Sequence, residues 1–505
     1  MLRGVRRPRP AHPPPVSSRR YARTLVAALA ALVVLPLVSP RTALRAQAAA
    51  GPVTAGDVPE PRWPEAHAEM LGHLRELIRR DTRNPPGNEI TVARYLDSVL
   101  KSAGIETHLF EPAPGRAALV ARLKGNGSRR PVVLMGHMDV VGVERDRWTV
   151  DPFAGEVRDG YLYGRGAIDD KGMLAANLQT MLLLKRLVVD RGGSLARDVV
   201  FVANSDEEAG GELGMGWLIA NHPELVRGEF ALNEGGRTRI VRGRPLYVAV
   251  QSAEKVSHVV TVTARGPGGH ASVPLEGNAV LRLGRALAAI GAWRAPTRVT
   301  PTTQRFFGEL ARVWPDAREA RAMADVASGS AARVARGALV LRGTPTFDAV
   351  LRTGISATIV QGGIRANVIP EAATATLNVR TLPGESVDAV VEALRRVVGD
   401  PLVAIAVTER GESSPASDHA SPMFRALADA TRALDPRMVT VPYLSTGATD
   451  SARLRTWGMQ AFGVLPFPLA QEDEDRMHGT DERVPLAALE FGTRLIYGTV
   501  LRVAR

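Results

Sequence analysis

VVFVANSDEEAGG (199–211) is a run of apolar residues that ends in three acids and a glycine pair. It reads as a strand that leaves the core where the acids begin, with a helix expected over 211–221. The same grammar recurs around it. VVLMGHMDVV (132–141) is an apolar run that stops on a histidine and an aspartate, and FALNEGG (230–236) stops on a glutamate. ALVARL (118–123) precedes them, and 172–189 has the pattern of a helix. Strands alternating with helices indicate a mostly parallel sheet in an α/β architecture.

Outward from this core, Met70, Leu71, Leu74, Leu77 and Ile78 recur at helical spacing within 64–80, and TVARYLDSVLKSAG (91–104) is a second amphipathic helix ending on glycine. Near residue 255 the period changes. KVSHVVTVTARG (255–266) alternates with period two, as do SATIVQGG (356–363) and TATLNVRTL (374–382), and LVAIAVTERGE (402–412) closes the block. Helices are expected over 277–292 and 386–399. Two helices on an antiparallel sheet make an inserted α+β domain, 255–411, between catalytic segments 63–254 and 412–505. Residues 300–347 within it are rich in Arg and Ala and read as extra helices and loops. The α/β pattern resumes near 415 and ends in a long helix over 484–502.

The chain has 505 residues, too many for one ordinary core, so two domains are expected. Its formal charge of +12 looks like a nucleic-acid signal until its distribution is read. Nine Arg and no Asp or Glu fall in residues 1–48, leaving +3 for the rest. That segment has the parts of an export signal: Arg19-Arg20, the apolar stretch TLVAALAALVVLPLV (24–38) and a small-x-small site at Ala46-Gln47-Ala48. The stretch falls short of the roughly 20 residues that span a bilayer, and an uncleaved membrane anchor is the alternative. Residues 49–62 read as a leader. No nucleic-acid partner is expected. The absence of cysteine excludes a disulfide framework, a thiolate metal site and a cysteine nucleophile.

His137, Glu207, Glu208 and Glu234 each follow an apolar run, which puts them on the rim where open parallel sheets bind ligands. Asp169 lies in the Gly-rich stretch LYGRGAIDDKG (162–172), and His478 lies in DRMHGTDERV (475–484). Any one of these acids could cap a helix. Together, two His and three carboxylates make a ligand set for two divalent ions, with one carboxylate to spare. One carboxylate can bridge the ions, and each ion then takes one His and one further acid. Of Glu207 and Glu208, one can bind metal while the other faces substrate as the general base. Asp139, two residues after His137, can hydrogen-bond the second imidazole nitrogen.

GHMDVV, GRGAIDDKG, SDEEAGG and HGTDERV resemble the motifs of the co-catalytic zinc peptidases that include aminoacylase, glutamate carboxypeptidase, succinyl-diaminopimelate desuccinylase and yeast carboxypeptidase S. The resemblance covers about residues 62–503. It implies a zinc-hydrolase catalytic domain with an inserted dimerisation or lid domain and two Zn2+ per chain, with Mn2+ or Co2+ as substitutes. By the family pattern His137 pairs with Glu234 and His478 with Glu208. Asp169 bridges, with a cis peptide to Asp170; Glu207 is the general base and Asp139 the histidine orienter. NEGG stands where relatives often have DEGG, but Glu234 is kept.

GPGGHAS (266–272) resembles the loop whose histidine, here His270, reaches a neighbouring subunit's site. RANVIP (365–370) and NVRTLPG (378–384) resemble the segments that hold substrate, here Asn367 and Arg380. STGATDSARLR (445–455) resembles the substrate-side loop, with Gly447. The length, the 300–347 insertion and HGTDERV look most like the carboxypeptidase S branch, which includes N-fatty-acyl-amino-acid hydrolases. The expectation is a homodimeric hydrolase of small peptides or N-acyl-amino acids, cleaving beside a free carboxylate. The alternatives are a metallo-aminopeptidase and a non-catalytic binding protein on the same fold.

Overall fold

The computed structural model describes residues 58–505; the signal expected over 1–48, and the leader up to residue 57, lie outside the described residues. Val199–Asn204, Val132–His137 and Phe230–Asn233 are strands buried along their whole length. Their side chains alternate between two apolar layers. Val132, Leu134, Val199 and Phe201 pack with helices Trp63–Ile78, Ile90–Ser102, Lys171–Leu187 and Leu486–Val503. Val133, Met135, Val200 and Val202 pack with Met215–Asn221 and Asp450–Thr456 on the other face. Cover on both faces explains why these strands are apolar without a break.

Among the described residues these strands belong to a ten-stranded sheet. Its order is Glu106–Ala113, Arg116–Leu123, Val199–Asn204, Val132–His137, Phe230–Asn233, Gln460–Gly463, Arg244–Glu254, Arg237–Val241 and Pro468–Leu469, with Val439–Ser445 also paired to Arg244–Glu254. The four central strands are parallel, with Val132 opposite Val199 and Phe230, and Gln460 opposite Phe230. Their carboxyl ends therefore leave the sheet along one rim. The helix expected from 211 begins at Met215, because Gly210 and Gly211 take φ of +108° and +74° and break the helical path.

The period-two segments form a separate antiparallel sheet in the order Gly354–Gly362, Ala372–Thr381, Val256–Arg265, Val403–Arg410. Val260, Val262, Ala375, Leu377 and Val379 face helices Ala279–Ala292 and Val387–Val398, and this layer has its own apolar core. Gly354–Gly362 is an edge strand and leaves Ile359 and Val360 exposed.

Residues 300–347 are helical, as expected, but they pack elsewhere. Pro301–Leu310 starts at a reciprocal Thr300–Thr303 cap, and Asp316 caps Ala317–Val326; Ala331–Leu341 and Pro345–Ala349 follow. Phe306, Phe307, Leu310, Met323 and Leu341 join Tyr247, Ala249, Val441 and Tyr443 of the large sheet in one core, not the antiparallel layer. The insertion lies within 255–411 in sequence, yet it covers the large sheet.

Candidate metal centre and active site

Parallel strands deliver the acids and imidazoles to one place. His137 is the last residue of its strand, and Glu234 directly follows Phe230–Asn233. Asp206, at φ +70°, turns the chain sharply after Val199–Asn204. Its carboxylate accepts the Leu213 N–H at 3.0 Å and pairs with Arg116 at 3.0 Å, which fixes the turn carrying Glu207 and Glu208. His478 also has a positive φ, +60°. The Asp169–Asp170 peptide is cis, as the family resemblance implied.

Asp169 lies between the two imidazoles. Its Oδ1 is 2.9 Å from His137 Nε2 and its Oδ2 is 3.0 Å from His478 Nε2. His478 Nε2 also approaches Glu208 Oε1 at 3.2 Å. His137, Asp169 and Glu208 offer ligand atoms within 4.8 Å of one another, and so do His137, Glu207 and Glu234. The Oε1 of Glu208 is buried and its approach to His478 is not aligned as a hydrogen bond, so this oxygen lacks a donor. Hard carboxylate oxygens and borderline imidazole nitrogens, with no thiolate, fit divalent cations of the zinc or manganese type.

Burial raises the carboxyl groups of Glu207 and Glu234 well above the usual range. Neighbouring acids add to it: Asp450 and Asp169 at Glu207, and Glu207 and Asp169 at Glu234. Asp169 goes the other way. Burial would raise it, but His137 and His478 hold it well below the usual range. Asp169 and Glu208 push the His478 imidazole up to about 10. Crowded buried acids with few positive partners are what a cation site presents.

Asp139 departs from its expected contact. The Nδ1 of His137 faces the Asp139 backbone carbonyl at 2.9 Å, and the carboxylate is 3.6 Å away, too far for a hydrogen bond. That carboxylate accepts the Glu207 and Glu208 N–H groups at 3.2 and 3.1 Å and Asn84 Nδ2 at 2.9 Å. Asp139 thus orients the histidine through its carbonyl and the glutamate pair through its side chain.

A cleft of about 440 Å3 lies over this cluster, and Arg380 and Gly447 line it together with Asp169, Glu207, Glu208, Glu234 and His478. Arg380 donates through Nε to Asn378 Oδ1 at 2.9 Å, while its buried Nη1 has no hydrogen-bond partner among the described residues. The structure does not bring His270 and Asn367 to this cleft. They are neighbours on an exposed two-stranded ribbon, Gly269–His270 with Val368–Ile369, where the Ala271 N–H donates to the Asn367 carbonyl at 3.1 Å.

Three supporting groups were not singled out in the sequence. Glu482 is fully buried and accepts the N–H groups of Ile168 at 2.7 Å, Gly166 at 3.2 Å and Asp169 at 3.3 Å, besides pairing with Arg165. Arg165 in turn donates to the Gly479 carbonyl at 2.8 Å, which ties the Asp169 loop to the His478 turn. Both residues lie inside quoted motifs, GRGAIDDKG and HGTDERV. Glu254, paired with buried Arg455, accepts the Thr449 N–H at 3.0 Å and so anchors the Gly447 loop; no motif marked it.

A model of Peptidase family M20/M25/M40 matches residues 133–502. The probable carboxypeptidase S-like 2 of Dictyostelium discoideum is 29% identical over 391 residues, covering 73% of this chain and 71% of that protein. The N-fatty-acyl-amino acid synthase/hydrolase PM20D1 of Xenopus tropicalis is 28% identical over 366 residues, covering 72% and 70%. Among solved structures, the M20 family metallo-carboxypeptidase Sso-CP2 from Sulfolobus solfataricus superposes with a TM-score of 0.64 at 17% identity, over 86% of this chain and 99% of that one.

Proposed function

The chain belongs to Peptidase family M20/M25/M40, and from that premise we propose that it is a di-metal amidohydrolase cleaving a peptide or N-acyl amide bond beside a free carboxylate. The observation that carries the substrate side is Arg380. Arg380 lines the same cleft as the acid–imidazole cluster, and its buried Nη1 has no hydrogen-bond partner among the described residues; a guanidinium fork there matches a carboxylate. Relatives named as a carboxypeptidase and an N-fatty-acyl-amino acid hydrolase support this reading.

His137, Asp169, Glu208, Glu234 and His478 would hold two zinc ions, with manganese or cobalt as substitutes, and Asp169 would reach both. The ions would supply Lewis acidity toward a water and toward the scissile carbonyl. Glu207 is the general base. Glu208 is drawn to His478, whereas Glu207 forms no ion pair among the described residues and lines the cleft. Its carboxylate takes a proton from the attacking water and returns it to the leaving nitrogen. Arg380 holds the substrate carboxylate, and the 445–449 loop with Gly447 closes one side.

His270 and Asn367, side by side on a ribbon away from their own cleft, suit a site completed by a second copy. The open Gly354–Gly362 edge with exposed Ile359 and Val360 is a surface two copies could share. In that homodimer His270 donates to the carbonyl oxygen of the partner's substrate.

The test compares N-acyl-amino acids with their carboxamides. Arg380→Ala should cut kcat/KM for the free acids by about tenfold or more, because a charge-assisted contact is worth roughly 1.5–3 kcal/mol, and should spare the amides. An equal loss on both would make Arg380 structural.

A further inference from the structure

A second cavity, of about 290 Å3, lies between the 301–349 helices and the large sheet. Tyr247, Phe306, Trp314, Phe347 and Tyr443 line it. The rings hold one another in place: Trp314 and Phe347 meet edge-on at 5.4 Å, and Phe306 and Tyr443 lie 5.6 Å apart. They therefore form a fixed apolar wall.

The cavity adjoins the metal cleft, because Arg237 lines both. Arg237 comes three residues after Glu234, and Tyr443 comes two before the cleft residue Ser445. Two strand residues span about 7 Å, so the cavity begins one short step from the acid–imidazole cluster. The Arg237 guanidinium lies 5.9 Å from the Tyr443 ring, and both Arg237 and Arg239 pair with Glu474. The charges at this doorway are thus engaged with each other, and aromatic surface lies behind them. Arg380 reaches the cleft from the other sheet.

We infer that this cavity holds the alkyl chain of the substrate's acyl group, with the scissile amide at the metal centre and the amino-acid carboxylate on Arg380. The inference rests on the amidohydrolase reading above. The volume equals roughly ten waters at about 30 Å3 each, and a methylene group is close to a water in size, so a chain of roughly eight to ten carbons fits. Burial of each methylene should raise kcat/KM about three- to fourfold until the cavity is full.

The experiment is a chain-length series of acetyl-, hexanoyl-, decanoyl- and hexadecanoyl-leucine with the zinc-loaded full chain. The wild type should prefer decanoyl over acetyl by at least about a hundredfold and gain little beyond. Two variants probe the walls. Ala249→Phe narrows the cavity beside its doorway, where Ala249 faces Arg237 across the strands. Thr346→Trp narrows the mouth from an exposed position and so keeps the fold. Each should lower the decanoyl-to-acetyl ratio at least about tenfold while leaving the leucine-over-phenylalanine preference in place.

A binding readout separates this from the chemistry. A bromodecanoyl-leucine probe should quench a tryptophan in Glu207→Gln, and the quench should vanish when Trp314→Phe is added. An unchanged length profile in both folded variants, or no quenching assignable to Trp314, would overturn the inference while leaving amide hydrolysis intact. Failure of the wild type to cleave any member of the series would strike the amidohydrolase reading itself, and this inference with it.

Discussion

Glu207 and Glu208 are adjacent in sequence and differ in what they touch. Glu208 sits 3.2 Å from His478, while Glu207 faces the cleft unpaired among the described residues. Glu207→Gln should therefore keep the metals and lose about 10²–10⁴-fold in kcat, measured beside metal content. More than about a tenth of wild-type kcat would move the base elsewhere. Glu482 acts differently, through the loop it holds. Glu482→Gln keeps the shape but loses the charge that four donors share, so zinc affinity in a chelator competition should fall about 10–100-fold without unfolding. Unchanged affinity would reduce Glu482 to a packing role. The acids and imidazoles that the structure brings together could be picked out in advance because chemistry restricts which residue types can make such a cluster. Glu482 and Arg165 were present in the same motifs but passed over, because a carboxylate that binds backbone N–H groups has no distinct spelling. The Asp139 contact was half right, since sequence cannot tell a backbone carbonyl from a side-chain oxygen two residues away.

Strands and helices were readable to within a few residues where one period dominated. Val256–Arg265 alternates buried and half-buried along its length, as its sequence does. The helices of 300–347 were expected, but not what they cover, because an amphipathic face says that it is buried and not against which sheet. Phe307 belongs to the core shared with Tyr247 and Tyr443 and is fully buried. Phe307→Ala should cost about 3–5 kcal/mol in urea unfolding if the insertion is an integral cover of the large sheet. A loss below about 1 kcal/mol would mean that these helices can detach without consequence.

At the scale of the whole molecule, the exposed ribbon of His270 and Asn367 makes the assembly itself a prediction. His270→Ala should lose about 10²–10³ in kcat with its metals retained, as removal of an oxyanion donor does. Mixed with Glu207→Gln under subunit exchange, it should regain about a quarter of wild-type activity, since half the random dimers carry one intact site. No regain despite confirmed heterodimers would place His270 in its own chain's function or in none. Nothing in the spacing of GPGGHAS required a second chain, and only its resemblance to known relatives suggested one. The central claim is that five ligands at one sheet rim hold two ions serving one base. Its most direct test is a zinc titration of the metal-stripped protein, with hydrolysis of an N-acyl-amino acid followed at each addition. The account predicts turnover that climbs to a plateau at two equivalents of zinc per chain. Turnover without metal, or a plateau at one equivalent, would contradict it.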